Sequence, residues 1–250
     1  MKAGNSLKPC RDRGGSRCQE NRKVTYTYEQ VAKTIDTSLL NPGLDDQALE
    51  EGCRIALKYN AASACVMPFY LKKCAEILAG STVKASTTIG FPHGGHTTDV
   101  KVAEAKQALA DGGEELDMVV NISKVLSGDW DYVRKDIQAV VDLVRGHGQK
   151  SKIIFENCYL NDEQKIRLCE ICADLNPDWV KTSTGYAHGG ATIDDLKLMR
   201  AHSPEHIQVK AAGGIRTLDA LLEVMDLGVT RVGSTRTVEF CEQYKERIGK

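Results

Sequence analysis

Short apolar stretches alternate with amphipathic stretches from residue 34 to the end of the chain. Residues 45–59 carry apolar side chains at helical spacing, and the apolar, strand-like residues 62–67 follow directly. If residues 34–40 form the first strand, the chain contains eight units in which a strand-like stretch is followed by a helical one. Alternating units of this kind predict a parallel sheet, and eight of them in a chain of this length predict a closed (β/α)8 TIM barrel.

The pattern also gives limits for the individual elements. The predicted strands are residues 34–40, 62–67, 83–89, 115–121, 152–156, 179–182, 207–211 and 230–232. The predicted helices are residues 28–33, 45–59, 71–79, 97–111, 130–145, 161–175, 192–201 and 217–227, with a last helix reaching the C-terminus. An open, doubly wound α/β sheet is the alternative, but Leu40-Asn41-Pro42-Gly43 lacks the G-x-G-x-x-G pattern typical of its first turn.

The composition of the chain narrows its class. Its 250 residues carry a net charge of -1, which offers no field to attract nucleic acid or an anionic membrane. No apolar run is long enough to span a membrane, and the basic, polar start is not a secretory signal. We interpret residues 1–25 as a flexible arm and residues 26–250 as one barrel domain, and we expect a cytoplasmic protein.

The nine cysteines suggest reduced thiols rather than a disulfide framework. Cys169 and Cys172 have CxxC spacing, but they lie in a helical pattern without a second pair, which disfavours a metal or redox site. His93 and His96 lie in a loop without a carboxylate or cysteine nearby, and we expect that loop to line a cleft. No metal site is predicted.

Two lysines stand out because each ends an apolar strand immediately before small residues and a glycine turn. Lys181 lies in Val180-Lys181-Thr182-Ser183-Thr184-Gly185, and Lys210 lies in Val209-Lys210-Ala211-Ala212-Gly213. A single strand lysine is most simply explained as one that reaches solvent. A repeat of the pattern in the next strand instead indicates that both lysines point into one pocket at the carboxyl ends of the strands.

Placing two lysines together has a chemical consequence. Adjacent strands are about 4.8 Å apart, and both a like charge and desolvation lower the pKa of a lysine. A neutral amine near pH 7 is the form that attacks carbonyl groups.

Two further side chains bear on this pocket. Asp117 is a buried carboxylate that could balance the lysine charges and relay protons, or serve only as an ion-pair partner of Lys152 or Lys210. Lys152 opens its predicted strand and is either a third cation in the pocket or a solvent-facing strand start. Lys84 lies farther from its glycine turn, so we expect it to be solvated.

Glycine-rich loops follow the last three predicted strands and suggest a phosphate site. They contain Gly185, the pair Gly213-Gly214, and Gly233-Ser234-Thr235 with Arg236 directly after it. Backbone amides, the hydroxyls of Ser234 and Thr235 and the Arg236 guanidinium are the candidate donors. Many barrels have glycine loops without phosphate, and Arg236 could instead face solvent or pair with Glu239.

These features together resemble the deoxyribose-phosphate aldolase family of class I aldolases, over residues 36–235. The motifs that carry the resemblance are Ala64-Cys65-Val66, Ile89-Gly90-Phe91-Pro92-His93-Gly94, Glu115-Leu116-Asp117-Met118-Val119, Lys152-Ile153-Ile154-Phe155-Glu156, and the two lysine motifs, the second continuing through Gly214-Ile215-Arg216-Thr217. The resemblance implies that Lys181 forms a Schiff base, that Lys210 perturbs it and that Asp117 assists proton transfer.

The resemblance also implies the ligands of the site. Asp36, Cys65 and Lys152 match pocket positions, and neither a metal nor an organic cofactor is expected. The small-molecule partners would be 2-deoxy-D-ribose 5-phosphate, glyceraldehyde 3-phosphate and acetaldehyde, as in deoxyribonucleotide breakdown; a homodimer is left open.

Two departures from the family pattern lie at the expected phosphate end. Tyr186 occupies a position where some members have lysine, and Thr235-Arg236 replaces a pair of small residues. Two alternatives therefore stay open: a related Schiff-base aldolase with a different or unphosphorylated acceptor, and a non-catalytic phosphosugar-binding barrel.

Overall fold

Eight parallel strands close into a barrel in the computed structural model, which describes residues 26–249. The strands are β1 Ile35–Leu39, β2 Ser63–Val66, β3 Lys84–Ile89, β4 Glu115–Val119, β5 Lys150–Ile154, β6 Trp179–Lys181, β7 Gln208–Ala212 and β8 Val229–Ser234. They pair in chain order, and β8 closes on β1. The predicted TIM barrel is confirmed, and the open-sheet alternative is wrong. The predicted arm, residues 1–25, lies outside the described residues.

Helices connect the strands and cover the barrel. They are α1 Tyr28–Ala32, α2 Asp46–Tyr59, α3 Leu71–Leu78, α4 Thr98–Ala110, α5 Ile122–Leu126, α6 Trp130–Gly146, α7 Asp162–Leu175, α8 Ile193–Ala201, α9 Leu218–Asp226 and α10 Thr237–Arg247. Asp45, Asn161, Thr192 and Thr217 begin four of them, each accepting a hydrogen bond from a backbone amide of the first turn.

Two of the differences between the predicted and observed element limits bear on the site. β5 begins at Lys150, so Lys152 is not its first residue but lies fully buried within it. Lys150 is the exposed strand start, held by Asp178 at 3.0 Å. The strand predicted over residues 115–121 ends at Val119, because the Asn121 side chain caps the short helix α5, which the sequence pattern did not predict.

The apolar core lies between the strands and the surrounding helices, whereas the inside of the barrel is polar. Outward residues such as Ile35, Leu116 and Val180 are fully buried in the apolar layer. Inward positions carry buried charged side chains, namely Asp36, Glu115, Asp117, Lys152, Lys181 and Lys210. Since burying an unpaired charge is very costly, these side chains must compensate one another, and their pairing builds the site.

A second buried ion pair holds α4 and α6 against the sheet. Lys101 Nζ lies 2.5 Å from Asp136 Oδ2 and also donates to the backbone carbonyl of Val119 at 2.9 Å. Both side chains are completely buried. Gly90 leaves the space for this lysine, because a Cβ there would lie 2.9 Å from Lys101 Cε. The carboxyl end of β4 is therefore fixed from outside the barrel.

The remaining predictions on metals, thiols and membranes concern the same described residues. All seven cysteines within residues 26–249 are free thiols, and Cys169 and Cys172 are buried in α7. Within that range no three His, Cys, Asp or Glu residues are grouped to hold a metal ion. None of the helices described is long and apolar enough to cross a membrane. Lys84 is exposed and pairs with Glu114, as expected for a solvated lysine.

Candidate active site

A cavity of about 480 Å³ opens at the carboxyl ends of the strands. Ten of the twelve predicted site residues line it: Asp36, Cys65, Lys181, Gly185, Lys210, Gly213, Gly214, Ser234, Thr235 and Arg236. The other two, Asp117 and Lys152, are fully buried: Asp117 contacts the two lysines that line the cavity, and Lys152 contacts Asp117. The predicted residues thus come together, while the catalytic roles assigned to them stay predictions.

Asp117 connects the three lysines at the bottom of this cavity. Lys181 and Lys210 occupy paired positions on β6 and β7, and the Nζ atom of each donates to Asp117 Oδ2 at 2.8 Å. Lys152 donates to the other carboxylate oxygen at 2.7 Å. Of the two interpretations of Lys152, the pocket cation is therefore the one observed, although it lies behind Asp117 rather than on the cavity wall.

Lys181 and Lys210 have opposite electrostatic surroundings. Burial lowers the pKa of Lys181, and the neighbouring Lys210 charge lowers it further, against the attraction of Asp117. Burial also disfavours the Lys210 charge, but Asp117 and Asp36 together raise its pKa above the usual range. Lys210 has two carboxylates within 2.8 Å, whereas Lys181 has only the shared Asp117. Lys181 is therefore the lysine that releases its proton more readily.

The acidic groups of the site remain ionised and its thiol remains protonated. Burial alone would raise the pKa of Asp117, but Lys152, Lys181 and Lys210 hold it well below its usual range. Burial and the Asp117 charge raise the pKa of Cys65, so this cavity-lining side chain is a thiol. A buried carboxylate that stays charged among amines can accept and return protons without leaving its position.

Sequence reasoning missed several residues that support the site. Arg231 on β8 and Glu115 on β4 form a pair with two parallel contacts of 2.7 Å, and Arg231 also donates to Asp36 at 2.7 Å. Glu115 lies two positions before Asp117 in β4, and residues two apart in a strand point to the same face. This spacing was a signal that could have placed Glu115 inside the barrel. The inward position of Arg231 had no comparable signal.

The loop after Lys181 is fixed by another buried carboxylate, that of Glu156. Its backbone has the left-handed φ of 60°, an uncommon conformation for a residue other than glycine. It accepts hydrogen bonds from the backbone amide and the hydroxyl of Thr184. The Thr184 hydroxyl in turn accepts from the backbone amide of Tyr186. The turn at Gly185 is thus held from β5.

Tyr186 bridges two loops across the mouth of the barrel. Its hydroxyl donates to the carbonyl of Leu40 after β1, and its ring meets that of Phe91 edge to face at 5.4 Å. Tyr186 lines both the main cavity and a second one of about 310 Å³, which His93 and Tyr159 help to line. The loop containing His93 therefore lines a cleft, as predicted.

Another part of the cavity wall consists of glycine turns and two arginines. Gly213 and Gly214 have φ values of 74° and 86°, which favour glycine. A Cβ at Gly190 would lie 2.6 Å from the carbonyl carbon of Gly213, so these loops also pack backbone against backbone. Arg216, quoted only as part of a motif, lines the cavity beside Arg236, and both are exposed. Arg236 also lies 3.6 Å from Glu239.

Comparisons with known proteins agree with this geometry. Residues 30–234 match the family model described as DeoC/LacD family aldolase. The chain is 61% identical over 224 residues to the deoxyribose-phosphate aldolase of Rhodopirellula baltica, covering 90% of this chain and 93% of the relative. It is 43% identical to that of Clostridium perfringens over 214 residues, with 86% and 95% covered.

A solved structure extends the agreement to the fold. The tetrameric deoxyribose phosphate aldolase of Aeropyrum pernix superposes with a TM-score of 0.81 at 28% sequence identity, covering 88% of this chain and 92% of that one. The Rhodopirellula baltica and Clostridium perfringens relatives are both named as an enzyme, a deoxyribose-phosphate aldolase. With its barrel, its buried lysine pair and a family match over most of its length, this chain belongs to the DeoC/LacD family of aldolases.

Proposed function

We propose that this enzyme reversibly cleaves 2-deoxy-D-ribose 5-phosphate to D-glyceraldehyde 3-phosphate and acetaldehyde through a Schiff base on Lys181. The observation that carries the proposal is the shared contact of Lys181 and Lys210 with one oxygen of Asp117. It supplies a free amine, a nearby proton donor and a carboxylate within one buried cluster. The naming of the Rhodopirellula baltica and Clostridium perfringens relatives as deoxyribose-phosphate aldolases supports the substrate.

The reaction follows from the positions of these groups. The Lys181 amine attacks C1 of the open-chain aldehyde, and loss of water gives a protonated imine. The C3 hydroxyl gives up its proton to the Asp117 carboxylate, the C2–C3 bond breaks, and its electron pair moves toward the imine nitrogen to form an enamine. Glyceraldehyde 3-phosphate leaves, C2 takes up a proton, and hydrolysis of the imine releases acetaldehyde and the free amine.

The charged side chains next to Lys181 can transfer protons and stabilise the intermediate in these steps. Lys210 is an ammonium in direct contact with Asp117, so it can donate a proton to the carbinolamine oxygen and recover it from the carboxylate. The protonated imine is a cation formed on Lys181 Nζ, beside the Asp117 carboxylate, which stabilises it. At the far end of the substrate, the glycine loops, Ser234, Thr235 and the two arginines would bind phosphate.

The direct test is an assay of deoxyribose 5-phosphate cleavage, with glyceraldehyde 3-phosphate measured by a coupled dehydrogenase. Turnover with this substrate is expected. Binding without turnover would overturn the proposal. If borohydride trapped an imine formed with dihydroxyacetone but none formed with acetaldehyde, the enzyme would be an aldolase with another donor substrate.

Arg236 provides a prediction on phosphate recognition. Arg236→Ala should lower kcat/KM for deoxyribose 5-phosphate roughly tenfold to a hundredfold, because a charge-assisted hydrogen bond contributes about 1.5–3 kcal/mol. Activity on unphosphorylated deoxyribose should not change. Kinetics of both substrates give the answer, with Glu239→Gln as the matched variant that removes only the competing carboxylate. An equal loss on both substrates, or none on either, would mean that Arg236 does not bind phosphate.

Lys210 provides a prediction on pH dependence. Lys210→Leu removes a like charge beside Lys181 and leaves Asp36 and Asp117 with one cation fewer, so the pKa of Lys181 should rise. Less free amine is then present at pH 7, and the acid limb of the kcat/KM profile should move to higher pH. Each unit of pKa increase lowers the amine fraction by about tenfold below the pKa.

A pH–rate profile of wild type and Lys210→Leu measures the shift, and Lys84→Leu serves as a control for loss of an exposed strand lysine. An acid limb that stays at the wild-type pH would show that Lys210 does not hold down the pKa of Lys181.

A further inference from the structure

Beneath the lysine pair, the barrel contains ion pairs that the proposed reaction does not use. Arg231 contacts both oxygens of Glu115 at 2.7 Å, and Glu115 lies 2.7 Å from Lys152. Lys152 contacts Asp117, and Lys210 lies 2.6 Å from Asp36. Asp36 is also bound by Arg231 at 2.7 Å. The contact of Lys210 with Asp117 closes these pairs into a ring, and Lys181 is attached to it through Asp117. We call these seven side chains the interior charge ring.

The interior charge ring has an excess of one cation when every member is ionised. Its members are the cations Lys152, Lys181, Lys210 and Arg231 and the carboxylates Asp36, Glu115 and Asp117. Each of these side chains is at most 12% exposed, so bulk water compensates little of the excess.

The excess charge is least compensated at Lys181. Arg231, Lys152 and Lys210 each contact two carboxylates. Arg231 also lies 4.8 Å from the centre of the Trp179 ring, a further favourable contact for a cation. Lys181 contacts a single oxygen of Asp117 and shares it with Lys210. Loss of one proton from Lys181 brings the ring to neutrality.

We propose that Glu115 and Arg231 are positioning residues that set the charge balance of the barrel interior and act on the protonation of Lys181 in opposite directions, Arg231 favouring the free amine and Glu115 the ammonium. They hold the carboxylates and Lys152 in place without contacting Lys181, and they act on it through Asp117 and the total charge. The significance for catalysis rests on the proposed Schiff-base function, but the charge state of Lys181 is measurable without any substrate.

The other groups around the ring do not alter this balance. β2 contributes the Cys65 thiol, whose pKa burial raises. β3 contributes the uncharged Ser86 and Thr88, which pair in register with Glu115 and Asp117. Below the ring, burial and then the Arg231 charge lower the pKa of Lys33, whose Nζ is bound by Asn60 and Thr82.

Competitive acetylation tests the proposal directly. Trace acetic anhydride acetylates a lysine only in its unprotonated form, and mass spectrometry of the Lys181 peptide gives the pH at half-maximal reactivity. Glu115→Gln removes a negative charge and should move this midpoint to lower pH. Arg231→Met removes a positive charge and should move it to higher pH. At an effective dielectric constant near 20, charges within one buried network interact strongly enough for each shift to be on the order of one pH unit.

The double variant Glu115→Gln/Arg231→Met restores the excess of one cation, so its midpoint should return close to that of wild type. Glu114→Gln, which breaks only the exposed pair with Lys84, is the matched control and should cause no shift. If single variants that retain native near-ultraviolet circular dichroism leave the midpoint unchanged, or shift it in the same direction, the proposal is wrong.

Wild-type protein and one conservative variant cover the case in which the single variants do not fold. Arg231→Lys keeps the charge and should leave the Lys181 midpoint near that of wild type, below the midpoint of lysine in a short unstructured peptide. A Lys181 midpoint at or above that of the peptide overturns the proposal. Shifted midpoints without any aldolase activity would refute the proposed function and leave the charge balance intact.

Discussion

Lys181→Ala is expected to abolish aldolase activity, lowering kcat by at least roughly four orders of magnitude. The free amine is the nucleophile on which every later step depends, and enzyme accelerations exceed about 10⁶-fold. Because Lys181 is only 3% exposed, we expect no amine from solution to take its place in the variant. Cleavage of deoxyribose 5-phosphate by purified wild type and variant measures the loss.

Borohydride trapping identifies the intermediate in the same samples. Reduction in the presence of acetaldehyde should add a two-carbon group to the Lys181 peptide of wild type and none to that of Lys181→Ala. Lys210→Ala is the matched variant, because it also removes a buried lysine bound to Asp117 but keeps the nucleophile. Full activity in Lys181→Ala, or an adduct located on Lys210, would refute the assignment.

Asp117→Asn should destabilise the protein by about 3–5 kcal/mol at pH 7, because it leaves three buried lysines without their shared partner. The pKa of Asp117 lies well below its usual range in the folded protein. The stability that it contributes is therefore fully present above the unfolded pKa of about 3.9 and is lost only as the pH falls through the much lower folded value.

At alkaline pH, the Asp117→Asn variant should become more stable as the pH rises. With Asp117 gone, Lys181 has no carboxylate partner and binds its proton less tightly when folded than when unfolded, so the free energy of unfolding should increase as the pH rises from 7 to 9. Urea unfolding at several pH values gives this slope. Asp174→Asn, at an exposed pair with Arg134, is the control and should cost less than about 1 kcal/mol. Equal losses in the two variants would contradict the role of Asp117 as the shared partner.

The barrel and most of the site could be predicted from the sequence because both depend on short-range signals. Alternation of apolar and amphipathic stretches gave the eight units, and each of Lys181 and Lys210 lies just before a glycine turn. Residues at the carboxyl ends of parallel strands share one edge. Strand position therefore predicted that Lys181 and Lys210 share one pocket, whereas Asp36 and Cys65 were predicted only from the family resemblance; all four line the cavity.

The ion pairs across the barrel could not be predicted, since they depend on strand register and closure. Lys152 meets Asp117 because these residues are paired in the β4–β5 register. Arg231 lies opposite Lys210 because of a register shift in the β7–β8 pairing next to Val209. Nothing in the residues around Arg231 signals this shift. Likewise, the pattern placed Lys152 at a strand start because Lys150 and Ser151 lack apolar character.

The interior charge ring also divides the chain into two unlike halves. All three of its carboxylates lie on β1 and β4, whereas all four of its cations lie on β5 to β8. A half-barrel made of β1–β4 alone would bury acids with no bases, and the remaining half would bury bases with no acids. Each half therefore depends electrostatically on the other, and this protein could not have been assembled by duplicating either of its present halves without replacing inward residues.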